Sequence, residues 1–125
     1  MKKILIIDDD PRIATALAVR LTAAGYQVCT ACDGHEGLLS AVSQKPDLII
    51  SDIWMPDPIG FLNQDRLCQL GLAGVPVIYI TASKKKDLRQ IALEEGAAGF
   101  FEKPYDAEEL LGAVAQLLSG ARVCA

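Results

Sequence analysis

Short apolar runs alternate with helical patterns from one end of this 125-residue chain to the other, and that alternation limits the fold more than any other feature. Ile4–Ile7 is uninterrupted; Asp10 then stands as a helix N-cap, with Pro11 at the first helical position. Ile13, Leu17 and Leu21 recur at four-residue spacing, Ala14 and Ala18 widen the stripe, and Gly25 ends it. The unit then repeats. A strand is expected over 26–32, then a helix from Asp33 or Gly34 with Leu38, Leu39 and Val42 as its apolar side, stopped by Pro46. A strand over 47–52 leads through a Pro/Gly loop to a helix carrying Phe61, Leu62, Leu67 and Leu70. A strand over 75–80 precedes a helix over 87–95 with Leu88, Ile91 and Ala92 inward and Gly96 as its cap. A strand over 98–101 precedes a last helix, capped by Asp106, carrying Leu110, Leu111, Val114, Leu117 and Leu118 and ended by Gly120. Nearly continuous apolar strands suggest burial on both faces, which means a parallel sheet between helix layers joined by right-handed crossovers. The expected class is α/β, doubly wound, with five strands and five helices.

Residues 1–120 read as one domain and 121–125 as a tail, open to being the start of a linker to an output domain; taken as complete, the chain carries none. Aromatics are scarce, so the core must be built of Leu, Ile, Val and Ala. The net charge of −4 argues against nonspecific nucleic-acid binding and against anionic lipid. No secretory or membrane-spanning segment is visible, and the expected compartment is the cytoplasm. Cys29 and Cys32 have C-x-x-C spacing, but within a strand residues three apart point to opposite faces. With His35 the only histidine, no zinc set is completed, and the cysteines are read as buried structural thiols.

Functional groups of an open parallel sheet gather at the carboxyl ends of its strands. The first strand ends in Asp8-Asp9-Asp10, the third in Asp52, the fourth in Thr81 and the fifth in Glu102-Lys103-Pro104. Each alone has an ordinary explanation: an N-cap with charged neighbours, an Asx turn, a strand end, a solvated lysine. Their shared position argues for one site. Three clustered carboxylates raise at least one pKa unless a cation relieves them. All-oxygen ligands and few of them suit Mg²⁺. A carboxylate beside a metal, a hydroxyl and a lysine can receive a phosphoryl group, since Asp is a competent nucleophile for that transfer.

Ile7-Asp8-Asp9-Asp10-Pro11, Ser51-Asp52-Ile53-Trp54-Met55-Pro56, Thr81-Ala82 and Lys103-Pro104, in this order and spacing, resemble the receiver domain of two-component response regulators over essentially the whole chain. The resemblance implies a flavodoxin-like sheet of order 2-1-3-4-5 with helices on both faces. It implies Asp52 as phosphoacceptor and Asp9, Asp52 and the Trp54 backbone carbonyl as Mg²⁺ ligands, with Asp8 acting through water. Thr81 and Lys103 would hold phosphoryl oxygens, the Lys103–Pro104 bond would be cis, and Thr81 and Phe100 would form the switch. Implied partners are a sensor histidine kinase or phosphotransfer protein, and a downstream target or output domain on the face of the fourth helix, fifth strand and fifth helix. Direct binding to nucleic acid or membrane is not expected; the domain would be a monomer or a phosphorylation-dependent dimer. Ile59 stands where the family commonly has Asp, and Pro58 is an addition. Rival readings are a degenerate receiver acting only as an interaction module and a Mg²⁺-dependent aspartyl-phosphate phosphotransferase. The first would lose a site residue, and the second would need a cap insertion; neither feature is present. Lys84-Lys85-Lys86 reads as a solvated run before a helix.

Overall fold

The five expected strands form, all parallel, in the order β2-β1-β3-β4-β5. The computed structural model describes residues 2–52, 64–82, 87–94, 96–103 and 105–119. Along the chain these are β1 (Lys3–Ile7), α1 (Pro11–Ala23), β2 (Gln27–Ala31), α2 (Gly34–Gln44), β3 (Leu48–Asp52), α3 (Gln64–Gln69), β4 (Val77–Thr81), α4 (Asp87–Glu94), β5 (Gly99–Glu102) and α5 (Ala107–Leu118). Strand ends differ from the expected ones by a residue or two. Asp47, for example, lies outside β3 and accepts the backbone N–H of Lys3 at 2.8 Å. Caps hold the helix starts as expected: the carboxylates of Asp10, Asp33 and Asp106 accept N–H groups of the first turns of α1, α2 and α5.

The period-two alternation of a strand sends neighbouring residues into different layers. Leu5, Ile7, Ile49, Val77 and Tyr79 pack on one face with Ala41, Leu67 and Ala92, so α2, α3 and α4 cover that side. Ile4, Ile6, Leu48, Ile50, Ile78 and Ile80 pack on the other with residues of α1 and α5. The central strands β1, β3 and β4 are therefore buried on both faces, while the edge strand β2 is partly exposed. The chain goes from β1 outward to β2 and returns past β1 to β3, so the order reverses between β1 and β3. A crevice opens at such a reversal, at the carboxyl ends of the strands.

Three expectations need correction. On α2 the buried positions are Gly37 and Ala41, with Leu38 half-buried, while Leu39 and Val42 are 60% and 44% exposed. The cause is close approach: a Cβ on Gly37 would lie 2.5 Å from Cδ1 of Ile7, so the smallest residues face the sheet and the larger ones turn out. On α4, Ala92 is buried but Ile91 is exposed. Among the cysteines, Cys29 is half-buried against the core, but Cys32 and Cys68 are free and exposed.

Candidate functional site

The strand order brings Asp8 and Asp9, which follow β1, beside Asp52 at the end of β3. One carboxylate oxygen from each lies within 4.8 Å of the others. Asp8 is 4% exposed and held from two sides. Its Oδ1 accepts the Asp10 backbone N–H at 2.9 Å, and its Oδ2 accepts from Lys103 Nζ at 3.3 Å. The Asp8 N–H donates to the Ala31 carbonyl at 3.0 Å, which ties the start of this loop to the end of β2. Lys103 follows β5 and reaches past the end of β4, placing Nζ also 3.5 Å from Asp52 Oδ2. Its own N–H donates to the Thr81 carbonyl at 2.7 Å, which fixes the end of β5 against the end of β4. Thr81 is itself buried there.

Burial pushes the Asp52 carboxyl up, Lys103 pulls it down, and Asp8 and Asp9 push it up again, leaving it at about 6. Burial lowers the Lys103 ammonium, but Asp52 and Asp8 outweigh it and the group sits above its ordinary value. Among the described residues, the crevice thus holds three carboxylates against one cation. Oxygen-only donors this close together, with surplus negative charge, fit a hard divalent cation. Asp8 spends both oxygens on protein partners, whereas Asp9 is exposed and Asp52 is only partly covered.

Of the sequence-based candidates, Asp8, Asp9, Asp52 and Lys103 come together, and Thr81 ends the strand between β3 and β5. Phe100 is buried in β5, opposite Tyr79 of β4, in the layer shared with α4. The Trp54 carbonyl, the Lys103–Pro104 bond, the Ile59 region and Lys84–Lys86 lie outside the described residues. Two supporting groups were not foreseen. The Asp10 N–H braces Asp8, which the run of three acids hints at only as an N-cap. Tyr105 is half-buried beside the site: burial raises its phenol, Lys103 lowers it, and Asp8 raises it. Only its position just past Lys103-Pro104 could have pointed to it.

Comparisons with known proteins point to one family. The family model of the response regulator receiver domain matches residues 4–115. The DNA-binding dual master transcriptional regulator RpaA of Synechocystis is 40% identical over 119 residues, covering 94% of this chain and 49% of RpaA. The transcriptional regulatory protein PhoP of Bacillus subtilis is 36% identical, covering 99% of this chain and 51% of PhoP. The chain spans about half the length of these curated relatives. Protein PilH of Pseudomonas aeruginosa is 33% identical and is covered over its whole length. Among solved structures, the Vibrio cholerae chemotaxis protein CheY4 superposes with a TM-score of 0.81 at 33% identity, covering 94% of this chain and 98% of that one.

Proposed function

The chain belongs to the response regulator receiver domain family, and from that premise we propose that Asp52 accepts a phosphoryl group from a phosphohistidine of a kinase or phosphotransfer protein, or from a small acyl phosphate. An Asp52 carboxylate oxygen attacks phosphorus, the P–N bond to the imidazole (or the P–O bond of the small donor) breaks, and an aspartyl phosphate forms. Water later attacks that phosphorus, restoring the carboxylate and releasing inorganic phosphate. The observation that carries this reading is the Lys103 ammonium set 3.5 Å from Asp52 Oδ2 inside a crevice of three carboxylates. A cation there can follow the charge from the carboxylate to the phosphoryl oxygens it becomes. Thr81 supplies a hydroxyl to a phosphoryl oxygen.

Asp9 and Asp52 directly, Asp8 through water and the Trp54 carbonyl would hold Mg²⁺. When bound, the ion supplies positive charge that permits a phosphoryl group to approach three carboxylates. Asp8 is the poorest direct ligand of the three, since Asp10 N–H and Lys103 already occupy its oxygens. Thr81 and Phe100 would carry the modification outward to the side formed by α4, β5 and α5, and a target or output domain would read it there. The domain acts in the cytoplasm as a switch that catalyses its own phosphorylation and dephosphorylation. Among the described residues, no helix is long and apolar enough to cross a membrane.

The test is incubation with acetyl phosphate and Mg²⁺ followed by intact mass. One added phosphoryl group, lost in Asp52→Ala, is expected. No adduct from any donor, or an adduct that survives Asp52→Ala, overturns the reading; the first result would favour an interaction module.

A further inference from the structure

The first turn of α2 grips the end of β1 at two points that the proposed function does not use. One is apolar. Gly37 lies so close to Ile7, the residue before Asp8, that a Cβ there would fall 2.5 Å from Ile7 Cδ1. The other is polar and runs through a single peptide. Beyond the Ile7–Ala31 pair, the Asp8 N–H donates to the Ala31 carbonyl at 3.0 Å. The N–H of that same peptide, on Cys32, donates to Glu36 Oε1 at 2.8 Å. In a trans peptide the C=O and N–H point in opposite directions. Glu36, the Ala31–Cys32 peptide and the Asp8 N–H therefore form one line of hydrogen bonds, which starts at a carboxylate and ends at the Asp8–Asp10 loop.

Helix capping explains only part of this arrangement. Asp33 is the N-cap of α2, and its Oδ1 accepts the Glu36 N–H at 2.7 Å. In the reciprocal pairing that often completes such a cap, the acidic side chain returns to the N–H of the cap residue itself. Glu36 instead reaches the residue before the cap. The Cys32 N–H is not among the donors that a helix start leaves unsatisfied, so helix formation does not call for this bond. An ionised acceptor makes a stronger hydrogen bond than a neutral one, and bonds in a chain polarise one another. The Glu36 charge therefore tightens the hold of the Ala31 carbonyl on the Asp8 N–H. The carboxylate is held in place by Cys32 twice over: a hydrogen bond to Glu36, and then its charge, push the Cys32 thiol above its ordinary pKa.

We propose that Glu36 is a positioning residue for the Asp8–Asp10 loop: through the Ala31–Cys32 peptide it fixes the Asp8 backbone, and with it the aim of Asp9 at the metal site. The proposal deepens the reading of Asp9 and Asp52 as Mg²⁺ ligands and rests on it. Asp9 is exposed and stands between two held neighbours. On one side the Asp8 N–H is anchored on Ala31. On the other, the Asp10 N–H donates to Asp8 Oδ1 at 2.9 Å, and Asp10 caps α1. Loosening the Asp8 anchor lets this turn shift, and Asp9 shifts with it. The Gly37–Ile7 contact seats the side chain before the loop, whereas the polar line sets the backbone of the loop itself.

The experiment uses the ¹³C,¹⁵N-labelled chain, first without metal and then titrated with MgCl₂ alone. The scalar coupling across the hydrogen bond from the Asp8 N–H to the Ala31 carbonyl reads the anchor directly. In Glu36→Ala that coupling should shrink and the Asp8 amide proton should move upfield. The Mg²⁺ Kd from amide shifts should rise about threefold or more. Glu36→Gln keeps an acceptor without the charge, and should fall between the parent and Glu36→Ala in both readouts. Position 36 is exposed, so neither change threatens the fold, and urea unfolding checks this. A purely capping role would lower stability and leave the Asp8 coupling and the Kd at parent values; that result overturns the proposal. A raised Kd with an unmoved Asp8 coupling also overturns it, since it assigns the effect to loss of a nearby charge. If the parent itself binds no Mg²⁺, the metal reading and the aim of Asp9 fall together, and the metal-free Asp8 coupling decides the anchor alone.

Discussion

Replacing Asp52 by Asn should make the metal-free protein more stable at neutral pH, although it removes an ion pair. The carboxylates of Asp8, Asp9 and Asp52 lie within 4.8 Å of one another, and at an effective dielectric of about 20 each such pair repels by roughly 3–4 kcal/mol. Asp52 meets two of these repulsions, and Lys103 at 3.5 Å offsets roughly 5 kcal/mol. The balance is unfavourable before burial is added. The carboxyl pKa expresses the same balance: raised from 3.8 to about 6, it corresponds to about 3 kcal/mol of preference for the neutral form. Solvent at the crevice mouth screens part of this, so the expected gain is about 1–2 kcal/mol, or about 4–8 °C in Tm. Lys103 keeps its contact with Asp8 at 3.3 Å in the variant.

The pH dependence fixes the sign. A carboxyl with a higher pKa in the folded than in the unfolded chain binds its proton more tightly when folded. Its destabilisation is absent below the unfolded value, develops as pH rises from 3.8 to about 6, and is complete above that. Urea unfolding of parent and Asp52→Asn in chelator should therefore diverge at pH 7 and converge toward pH 4. Adding Mg²⁺ should close the gap at pH 7, because the parent gains more from binding than the variant. Equal stability at pH 7, or a gain of the same size at pH 4 and pH 7, would refute the repulsion argument; the latter would assign the effect to amide packing.

Glycine substitutions should split by position. Gly37→Ala drives a Cβ to 2.5 Å from Ile7 Cδ1 and should cost about 1–3 kcal/mol, whereas Gly112→Ala meets nothing within 4 Å and should gain about 0.5–1 kcal/mol, both read by denaturant unfolding. Leu39→Ser and Val42→Ser, at exposed positions, should change stability by less than about 0.5 kcal/mol, while Leu67→Ala, fully buried, should cost about 2–5 kcal/mol. Lys103→Ala leaves the buried Asp8 carboxylate without its cation. It should destabilise the metal-free protein at pH 7 by about 3 kcal/mol and slow adduct formation from acetyl phosphate at least tenfold (roughly), as judged by unfolding and time-resolved intact mass.

Strand–helix alternation was legible because burial on both faces leaves an apolar run, as in Ile4–Ile7, while the edge strands β2 and β5, partly exposed, are less strictly apolar. The face of α2 was not. The apolar stripe Leu38, Leu39 and Val42 assumes that the largest side chains face inward, yet contact with Ile7 is set by how closely the helix can approach, which selects Gly37 and Ala41. Gly37 and Ala41, four residues apart, carry that close approach on α2, but a reading that ranks inward positions by side-chain size passes over them. The site divides in the same way. Asp8, Asp9, Asp52, Thr81 and Lys103 could be nominated because each stands where a strand stops. The order 2-1-3-4-5 has no local signal, and here it rested on family resemblance. That order nevertheless converts separate residues into a site. Lys103 and Asp8 are 95 residues apart in the chain. Nζ meets both Asp8 and Asp52 because β4 alone separates β5 from β3, and a lysine is long enough to cross the end of one strand. A shorter side chain at the end of β5, or one more strand between β5 and β3, would take from the three carboxylates the Lys103 ammonium that balances them among the described residues.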